Sequence, residues 1–514
     1  MKEHSRTEYS ILNIAAGLGG YALSVILSLI NRMVFTRCLP PAYLGISGLF
    51  SNILSMLSLA ELGVSGAIVY ALYKPLAQKD EEKIASLVQI FGRAYRTIGL
   101  VIGGLGLCVL PFLDLLIGEQ PEIAESIHLI YIIYLFNTAS SYFFTYRSTL
   151  LVAAQKNYLV TGLNYLVLCV QEVIQAVFLF TTRNYIGYLL IQTGFSLLYY
   201  VWISHIAVKQ YPYIKGKNFK PLDAEEKKRI FRDMRDLMFY KVSGVLVNGT
   251  DNIIITYFKG LATTGLASNY TLLINTLNTL LNQVFNGVTA SIGNHNVTES
   301  DEKKFEMYSF LNMVNFWLFG WAALGIYFCS SDLVMLLFGE NYVLPDNIPL
   351  IMAISFYISG VTNVIGTYKH TMGLFHYGRF TQIFTALLNI FFSILLGKCW
   401  GLFGILFATV ISRACTHLWY TPVVVYKYGF RRNPLEYFRG YIKYLIILLA
   451  AAGMCELVLR MISGSLIIKT ILKMVLCSVV TNAVFFAALA KTPEFSKLKY
   501  YLAVLLRRIG RGHG

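Results

Sequence analysis

The chain has 514 residues, of which 56% are hydrophobic and only 14% are charged, and its mean hydropathy is +0.58. A soluble globular protein carries about 25% charged residues, so this composition excludes an ordinary soluble enzyme, and it excludes a disordered chain as well. The 43 Lys and Arg residues outnumber the 27 Asp and Glu residues and give a net charge of +16. Such a basic excess in an apolar chain is typical of an integral membrane protein.

Apolar runs long enough to cross a bilayer recur along the whole chain. A membrane helix needs about 20 apolar residues, and these runs are far longer than the strands of about 10 residues in an outer-membrane barrel. The first run is also too long for a cleaved signal sequence, so we expect an uncleaved span. The pattern predicts fourteen helices, near residues 10–36, 44–71, 88–113, 126–151, 157–181, 185–208, 236–258, 264–290, 308–330, 347–370, 376–397, 401–425, 441–460 and 466–490.

The distribution of basic residues predicts the orientation. With the N-terminus placed in the cytoplasm, most of the 43 Lys and Arg residues fall on the cytoplasmic side. Cytoplasmic loops of membrane proteins carry such an excess, so both termini are predicted to lie in the cytoplasm. The longest cytoplasmic segment, residues 209–235, divides the first twelve helices into two sets of six.

The two sets of six helices resemble each other in sequence. Residues 31–36 followed by Gly45 align without gaps on residues 251–256 followed by Gly265. Further matches at nearly the same offset are residues 115–119 with 336–340 and Gly187 with Gly404. Because six is an even number, both sets share one orientation, and an axis along the membrane normal should relate them, with a substrate site between the lobes.

These patterns predict an all-α integral membrane protein built from two six-helix lobes, related by a parallel repeat, and two further C-terminal helices. The predicted domains are an N-lobe at 1–208, a cytoplasmic linker at 209–235, a C-lobe at 236–430, and helices thirteen and fourteen with a basic tail at 431–514.

Polar side chains line one face of span eight. Their spacing of three or four residues brings together Thr271, Asn275, Asn278, Asn282 and Asn286. Contact with lipid tails is unfavourable for a polar helix face, so this face must contact protein or water. Helix packing is one interpretation, but each of the four amides would need a partner there, which favours a cavity that hydrogen-bonds a sugar. The sugar-binding candidates are Asn248 on span seven with Asn275, Asn278 and Asn282.

Charged side chains inside predicted spans indicate a structural or functional role, because a charge at the bilayer centre costs about 2.5–3.5 kcal/mol of insertion free energy. Arg413 on span twelve either faces a cavity or pairs with Glu172 on span five. Arg32 and Arg37 lie toward the outer end of span one, where long side chains can snorkel. Asp251 on span seven is the candidate for binding a coupling ion, or it pairs with a basic residue.

Other sites are not indicated. No nucleotide-binding, metalloprotease or serine-hydrolase motif is present, so we expect no enzyme activity and no cofactor. The eight cysteines form no C-x-x-C pair, which favours small buried hydrophobic side chains over a metal site. The basic C-terminal tail is interpreted as a contact to anionic lipids, and no nucleic-acid binding is expected.

Several segments resemble bacterial polysaccharide flippases, the O-antigen and capsule repeat-unit translocases of the multidrug/oligosaccharidyl-lipid/polysaccharide (MOP) superfamily. The resemblance covers nearly the whole chain and is strongest over residues 31–100 and 236–290. It is carried by RCLPPAYLG (37–45), LFSNIL (49–54), LAELG (59–63), LYKPL (72–76) and TDNIII (250–255).

The resemblance implies that the chain flips an undecaprenyl-diphosphate-linked oligosaccharide from the inner to the outer leaflet of the bacterial cytoplasmic membrane by alternating access. It also implies coupling to a Na⁺ or H⁺ gradient and a polymerase of the same pathway as a partner. Basic residues would then hold the diphosphate, with Arg32, Arg37 and Arg413 as candidates.

Two alternatives from the same superfamily stay open. A multidrug exporter needs acidic cavity residues for cationic drugs; span seven offers Asp251, but span one offers Arg32 and no carboxylate. Lipid II flippases carry several arginines in spans one, two and eight, and spans two and eight have none here. A polymerase or ligase acting on the same lipid is disfavoured, because the outer loops are short.

Overall fold

A computed structural model describes residues 6–58, 64–117, 123–215, 225, 250–283, 285, 292, 299–374, 377–378 and 380–501. Within these ranges every regular element is a helix. The chain divides into two compact units, residues 1–265 (unit 1) and 266–514 (unit 2). Residues 250–265, which belong to the predicted C-lobe (236–430), therefore group with unit 1, and the predicted domain boundaries stay a prediction.

Unit 1 is built from nine helices in the ranges described and the start of a tenth. Local signals set several ends: Pro41 opens α2, Asp80 accepts a hydrogen bond from the Lys83 backbone N–H (3.0 Å), and Asn184 accepts one from Gly187 N–H (2.8 Å). The helices are α1 (Arg6–Cys38), α2 (Pro41–Leu57), α3 (Val64–Gln78), α4 (Glu81–Val109), α5 (Leu113–Ile117), α6 (Ile127–Thr145), α7 (Ser148–Ala153), α8 (Asn157–Thr182), α9 (Tyr185–Gln210) and α10 (250–283), whose C-terminal part belongs to unit 2.

Unit 2 continues with seven helices in its described part. They are α11 (Asp301–Phe338), α12 (Asn347–Val361), α13 (Asn363–Thr371), α14 (Thr381–Cys415), α15 (His417–Val424), α16 (Leu435–Leu459) and α17 (Leu466–Leu489). Helix α14 contains a break at Gly401, whose backbone (φ 61°, ψ −136°) is one that only glycine adopts readily. This break separates predicted spans eleven and twelve.

The prediction of an all-helical membrane protein is confirmed. Ten helical segments in the described ranges are long and apolar enough to cross a membrane, and one of them, Thr381–Phe430, contains both spans flanking Gly401. Many large apolar side chains are exposed, including Phe180 (70%) and Leu457 (67%). Exposure of so much apolar surface to water would be unfavourable, whereas contact with the apolar lipid tails is not.

The internal repeat is visible in one contact of unit 1. A Cβ on Gly45 would overlap the backbone carbonyl of Leu261, and a Cβ on Gly265 would overlap the carbonyl of Pro41. Leu261 and Gly265 are the residues 220 positions after Pro41 and Gly45, so the contact joins repeat-related residues reciprocally. Each glycine lets two backbones approach closely, as small residues do between membrane helices.

The long helix α11 is the centre of unit 2 and contacts α12 and α17. Two indole N–H groups of α11 donate to α17: Trp317 to Asn482 Oδ1 (2.7 Å) and Trp321 to Ser478 Oγ (3.0 Å). At one end of the same interface, Lys473 pairs with Asp332. These contacts fix the last helix, which lies outside the sequence repeat, to the C-terminal unit.

Candidate functional site

The predicted site residues are distributed over both units. In unit 1, Arg32 on α1 is half-buried, Arg37 in the last turn of α1 is exposed, and Asp251 on α10 is half-buried. In unit 2, Arg413 lies in the last turn of α14, and the amides Asn275, Asn278 and Asn282 lie on α10. Asn248 and most of the predicted linker at 209–235 lie outside the described residues.

A buried polar cluster joins α1, α8 and α9 of unit 1. The amide of Asn31 donates a hydrogen bond to the carboxylate of Glu172 and another, of 3.2 Å, to the hydroxyl oxygen of Tyr188. The amide of Gln175 donates to the Tyr188 carbonyl (3.0 Å), and the amide of Gln171 donates to Gln175 Oε1 (3.0 Å). Glu172, for which the sequence offered Arg413 as a partner, thus has a neutral partner on span one.

Aromatic side chains enclose the cluster. The Tyr134 hydroxyl donates to Ser47 Oγ (2.9 Å) and lies 3.3 Å from the Tyr185 hydroxyl. The Tyr185 and Tyr188 rings stack with centroids 6.2 Å apart. Arg32 acts electrostatically on Tyr134 and Tyr188. The predicted phosphate ligand Arg32 therefore lies beside this cluster.

The cluster has the chemistry of a site for a proton or a small cation. The Glu172 carboxylate accepts a hydrogen bond from the Asn31 amide, and a carboxylate in a membrane helix is a candidate group for taking up a proton or a small cation. The Asn31 amide oxygen is buried and has no hydrogen-bond partner in the part of the chain that the structure describes, so it is available as a second oxygen ligand. Among the described residues, no group of three His, Cys, Asp or Glu side chains is arranged to hold a metal ion.

The row of amides on α10 is divided between two environments. Asn282 donates to Asn278 Oδ1 (2.9 Å) and accepts from the amide of Asn363 on α13 (2.7 Å). These three amides form a ladder that joins two helices, as the packing interpretation requires. Asn275 is exposed on the surface of unit 2. Within this row, Asn275 is therefore the residue for which the prediction of a sugar ligand stands.

The sequence identified some members of these arrangements and missed others. Span one carries Ser24, Ser28 and Asn31 at helical spacing. Asn31 of this row belongs to the buried cluster, whereas Ser24 donates to the Tyr21 carbonyl (2.8 Å). Tyr188 and Asn363 were not singled out, because neither lies in a polar row on its own helix. The role of Asp251 as a coupling residue stays a prediction.

Comparisons with known proteins identify the fold. No family model matches the sequence, and the search of the curated proteins gives no match. The structure is similar to that of the lipid II flippase MurJ in an inward closed conformation, with a TM-score of 0.67 and 14% identity over 94% of this chain and 100% of that chain.

Two multidrug transporter structures are also similar. A MATE family transporter of the MOP superfamily, inward-facing, has a TM-score of 0.53 and 16% identity over 76% of this chain and 91% of that chain. The Vibrio cholerae MATE transporter VcmN has a TM-score of 0.55 and 13% identity over 83% and 99%. The chain is therefore a multi-pass, all-helical membrane protein whose fold is similar to those of these three proteins.

Proposed function

We propose that this chain is a flippase that carries an undecaprenyl-diphosphate-linked oligosaccharide from the inner to the outer leaflet of the bacterial cytoplasmic membrane by alternating access. The observation that carries the proposal is the similarity to a lipid II flippase along the full length of that protein. The two multidrug transporters match less of this chain and have lower TM-scores. Both termini would then lie in the cytoplasm.

The substrate we propose is a repeat unit of a surface polysaccharide such as O-antigen or capsule rather than lipid II. The sequence segments shared with polysaccharide flippases support this choice, as does the absence of arginine from spans two and eight. The exposed amide of Asn275 would hydrogen-bond the glycan, and the half-buried guanidinium of Arg32 would attract the diphosphate. Anionic lipids and a polymerase of the same pathway are the proposed partners.

Coupling to a Na⁺ or H⁺ gradient is assigned to Glu172 and Asn31 in addition to the predicted Asp251. The carboxylate and the unpartnered amide oxygen of this pair suit either cation. The same observation favours a second candidate function, cation-coupled multidrug export, because such an exporter needs a carboxylate within its lobes.

Deletion of the gene distinguishes the two functions. Loss of a lipid-linked oligosaccharide flippase should strand repeat units on the cytoplasmic leaflet and abolish the surface glycan, with dye resistance unchanged. Restoring the wild-type gene on a plasmid should reverse both effects. Intact surface glycan with new sensitivity to cationic dyes would reject the flippase and support the exporter.

Flipping can also be measured directly. Purified protein in proteoliposomes should make a fluorescent undecaprenyl-diphosphate oligosaccharide accessible to an external glycosidase, at a rate that depends on an imposed Na⁺ or H⁺ gradient. Protein-free liposomes are the control. Equal accessibility in both preparations would contradict the proposed function.

A further inference from the structure

A small pocket lined mostly by aromatic side chains lies in unit 2, between α11, α12 and α16. It holds about 260 Å³ of empty space, which includes its open mouth. Of the eight residues that line it, six carry a polar atom, and these are Asn312, Asn315, Tyr357, Tyr437, Tyr441 and Tyr444. We call this the tyrosine pocket. It shares no residue with the Glu172 cluster of unit 1 or with the amide ladder of α10 and α13.

Ring stacking fixes the walls of the tyrosine pocket. The rings of Phe316 on α11 and Tyr444 on α16 stack with centroids 4.4 Å apart, and those of Tyr437 and Tyr441 stack with centroids 6.2 Å apart. The three tyrosines of α16 recur every three or four residues, so they lie on one face of that helix. The pocket is therefore preformed by helix packing, and no loop has to close over it.

Two buried polar atoms of the pocket residues lack a hydrogen-bond partner among the described residues. One is Oδ1 of Asn315, a fully buried residue whose amide nitrogen donates to the Gly360 carbonyl (2.9 Å). The other is the hydroxyl oxygen of Tyr357, a residue that is only 5% exposed. Buried polar groups are normally paired, so these two atoms indicate a site for a hydrogen-bonding ligand.

The chemistry of the lining favours a positively charged donor. Asn315 Oδ1 can only accept a hydrogen bond, and the Tyr357 oxygen can accept one as well. The four tyrosine rings have electron-rich faces, which attract cations. The space between the side chains admits one group of about the size of a water molecule. An ammonium group has that size, the N–H donors and the positive charge, whereas a sugar ring is too large.

The charges around the pocket indicate which molecule carries the ammonium group. None of the eight lining residues is acidic, so a free cation would be buried without a counter-charge, which is costly. A zwitterionic lipid headgroup supplies its own phosphate, which stays outside the pocket. Arg439 and Lys443, both exposed on the same part of α16, can attract that phosphate.

We propose that the tyrosine pocket binds the primary ammonium group of phosphatidylethanolamine from the cytoplasmic leaflet. The ammonium donates to Asn315 Oδ1 and to the Tyr357 hydroxyl and lies against the rings of α16. In the predicted topology, α16 begins at the cytoplasmic surface, and tyrosines are enriched at such membrane interfaces. The bound lipid holds α16 against α11 and α12. The site does not depend on which substrate the protein transports.

Lipid binding to the purified full-length protein tests the site. The protein is kept in detergent, and phosphatidylethanolamine, phosphatidylcholine and phosphatidylglycerol are titrated separately, with native mass spectrometry as the readout. Phosphatidylcholine keeps the positive charge but has no N–H group, and phosphatidylglycerol has no ammonium at all. A parallel arm adds an excess of ethanolamine, which carries the ammonium group without the phosphate.

Two variants remove the proposed acceptors. Tyr357→Phe removes a hydroxyl and keeps the ring, and Asn315→Leu removes the amide. Tyr368→Phe is the matched control, because the Tyr368 hydroxyl is also buried and has no partner in the described part of the chain, but Tyr368 does not line the pocket. Size-exclusion chromatography and the thermal unfolding midpoint identify a variant that misfolds. If Asn315→Leu misfolds, Tyr357→Phe decides.

We expect wild-type protein to bind phosphatidylethanolamine more tightly than the other two lipids. Tyr357→Phe and Asn315→Leu should each weaken this binding about 10-fold, because each removes a hydrogen bond from a charged donor. Both should leave phosphatidylcholine binding unchanged, and Tyr368→Phe should bind all three lipids like wild type. Ethanolamine should not displace the lipid, because it lacks the phosphate.

Three results would overturn the proposal. If wild-type protein binds the three lipids alike, the pocket does not recognise a primary ammonium group. If Tyr357→Phe keeps the wild-type affinity for phosphatidylethanolamine, the hydroxyl does not contact the lipid, and the pocket is a site for water. If ethanolamine displaces the lipid, the ligand is a free amine and the lipid assignment is wrong.

Discussion

The two units hold ionisable side chains inside the membrane in opposite ways. In unit 1, the carboxylate of Glu172 receives the neutral Asn31 amide. In unit 2, the carboxylate of Asp332 on α11 pairs with the charged ammonium of Lys473 on α17. One unit thus gives its carboxylate an uncharged partner, and the other gives its carboxylate a charged one. Two halves related by a sequence repeat can therefore share a fold and still differ in the charged groups that they hold.

The positions related by the repeat show where the halves diverged. At an offset of 217 residues, Glu172 corresponds to Asn389. The Asn389 amide is buried and donates to the Thr409 hydroxyl (2.9 Å). At the same offset, Arg413 corresponds to Ser196. Each charged residue therefore has an uncharged counterpart in the other half.

The largest expected effect comes from removing the unit 1 carboxylate. Glu172→Gln should reduce gradient-driven transport in proteoliposomes by about 100-fold, near the upper range of coupling between two sites, because the amide can neither take up a proton nor neutralise a cation. Glu340→Gln, at an exposed carboxylate of unit 2, should transport like wild type. If the Glu172→Gln protein still responds fully to the gradient, Glu172 is not the coupling group, and the contrast between the two units has no role in transport.

The next effect tests whether the two halves are equivalent at their glycine contact. Gly45→Ala and Gly265→Ala should each lower the free energy of unfolding by about 1–3 kcal/mol, since the new Cβ meets backbone that cannot move aside. Thermal unfolding in detergent measures both. Gly104→Ala, where nothing lies within 4 Å of the new Cβ, should be neutral or slightly stabilising because alanine favours helix. Unequal losses would show that the repeat is not symmetric here.

A smaller effect separates packing from binding on α10. Asn282→Ala should lower stability by about 0.5–1.5 kcal/mol, because Asn278 and Asn363 lose their shared partner. Asn275→Ala should leave the unfolding midpoint unchanged and weaken glycan binding a few-fold, since its side chain is exposed. Stability and substrate affinity are measured on both variants. If Asn275→Ala binds the glycan as wild type does, this amide is not a sugar ligand.

An effect of the same size concerns the aromatic wall of the unit 1 cluster, formed by Tyr134, Tyr185 and Tyr188. Tyr134→Phe removes the hydrogen bond to Ser47 and the contact with the Tyr185 hydroxyl, so stability should fall by about 0.5–1.5 kcal/mol. Tyr257→Phe is the control, because Tyr257 is 54% exposed. Unfolding curves of the two variants compare them directly. Equal midpoints would mean that the wall contributes no more than a surface tyrosine.

The sequence predicted the helical architecture because its signals are local. Span length, hydropathy and basic loops are properties of contiguous residues, and the break at Gly401 falls at the predicted boundary between spans. The partners inside the bundle are not local. Glu172 contacts Asn31, which is 141 residues away, and helical spacing shows which face a side chain occupies but not which helix it meets.

Two further cases show the same limit. The amide row was assigned to a cavity because each of the four amides would need a partner in a packed interface, yet Asn363, 81 residues from Asn282, supplies such a partner. The hydrogen bond from Trp317 to Asn482, 165 residues away, was not predicted either, because nothing in the sequence places these two side chains together. Both partners are set by the packing of helices that lie far apart in the chain, and a single sequence does not reveal which helices pack together.

The reciprocal contact of Gly45 and Gly265 makes the two substitutions redundant. A side chain at either position pushes apart the same pair of backbones, and the second substitution then acts on a gap that the first has already opened. The double variant should therefore lose less stability than its two single variants together, the non-additivity expected of residues that share one contact. A protein that remains folded with alanine at one of these two positions should then also remain folded with alanine at the other.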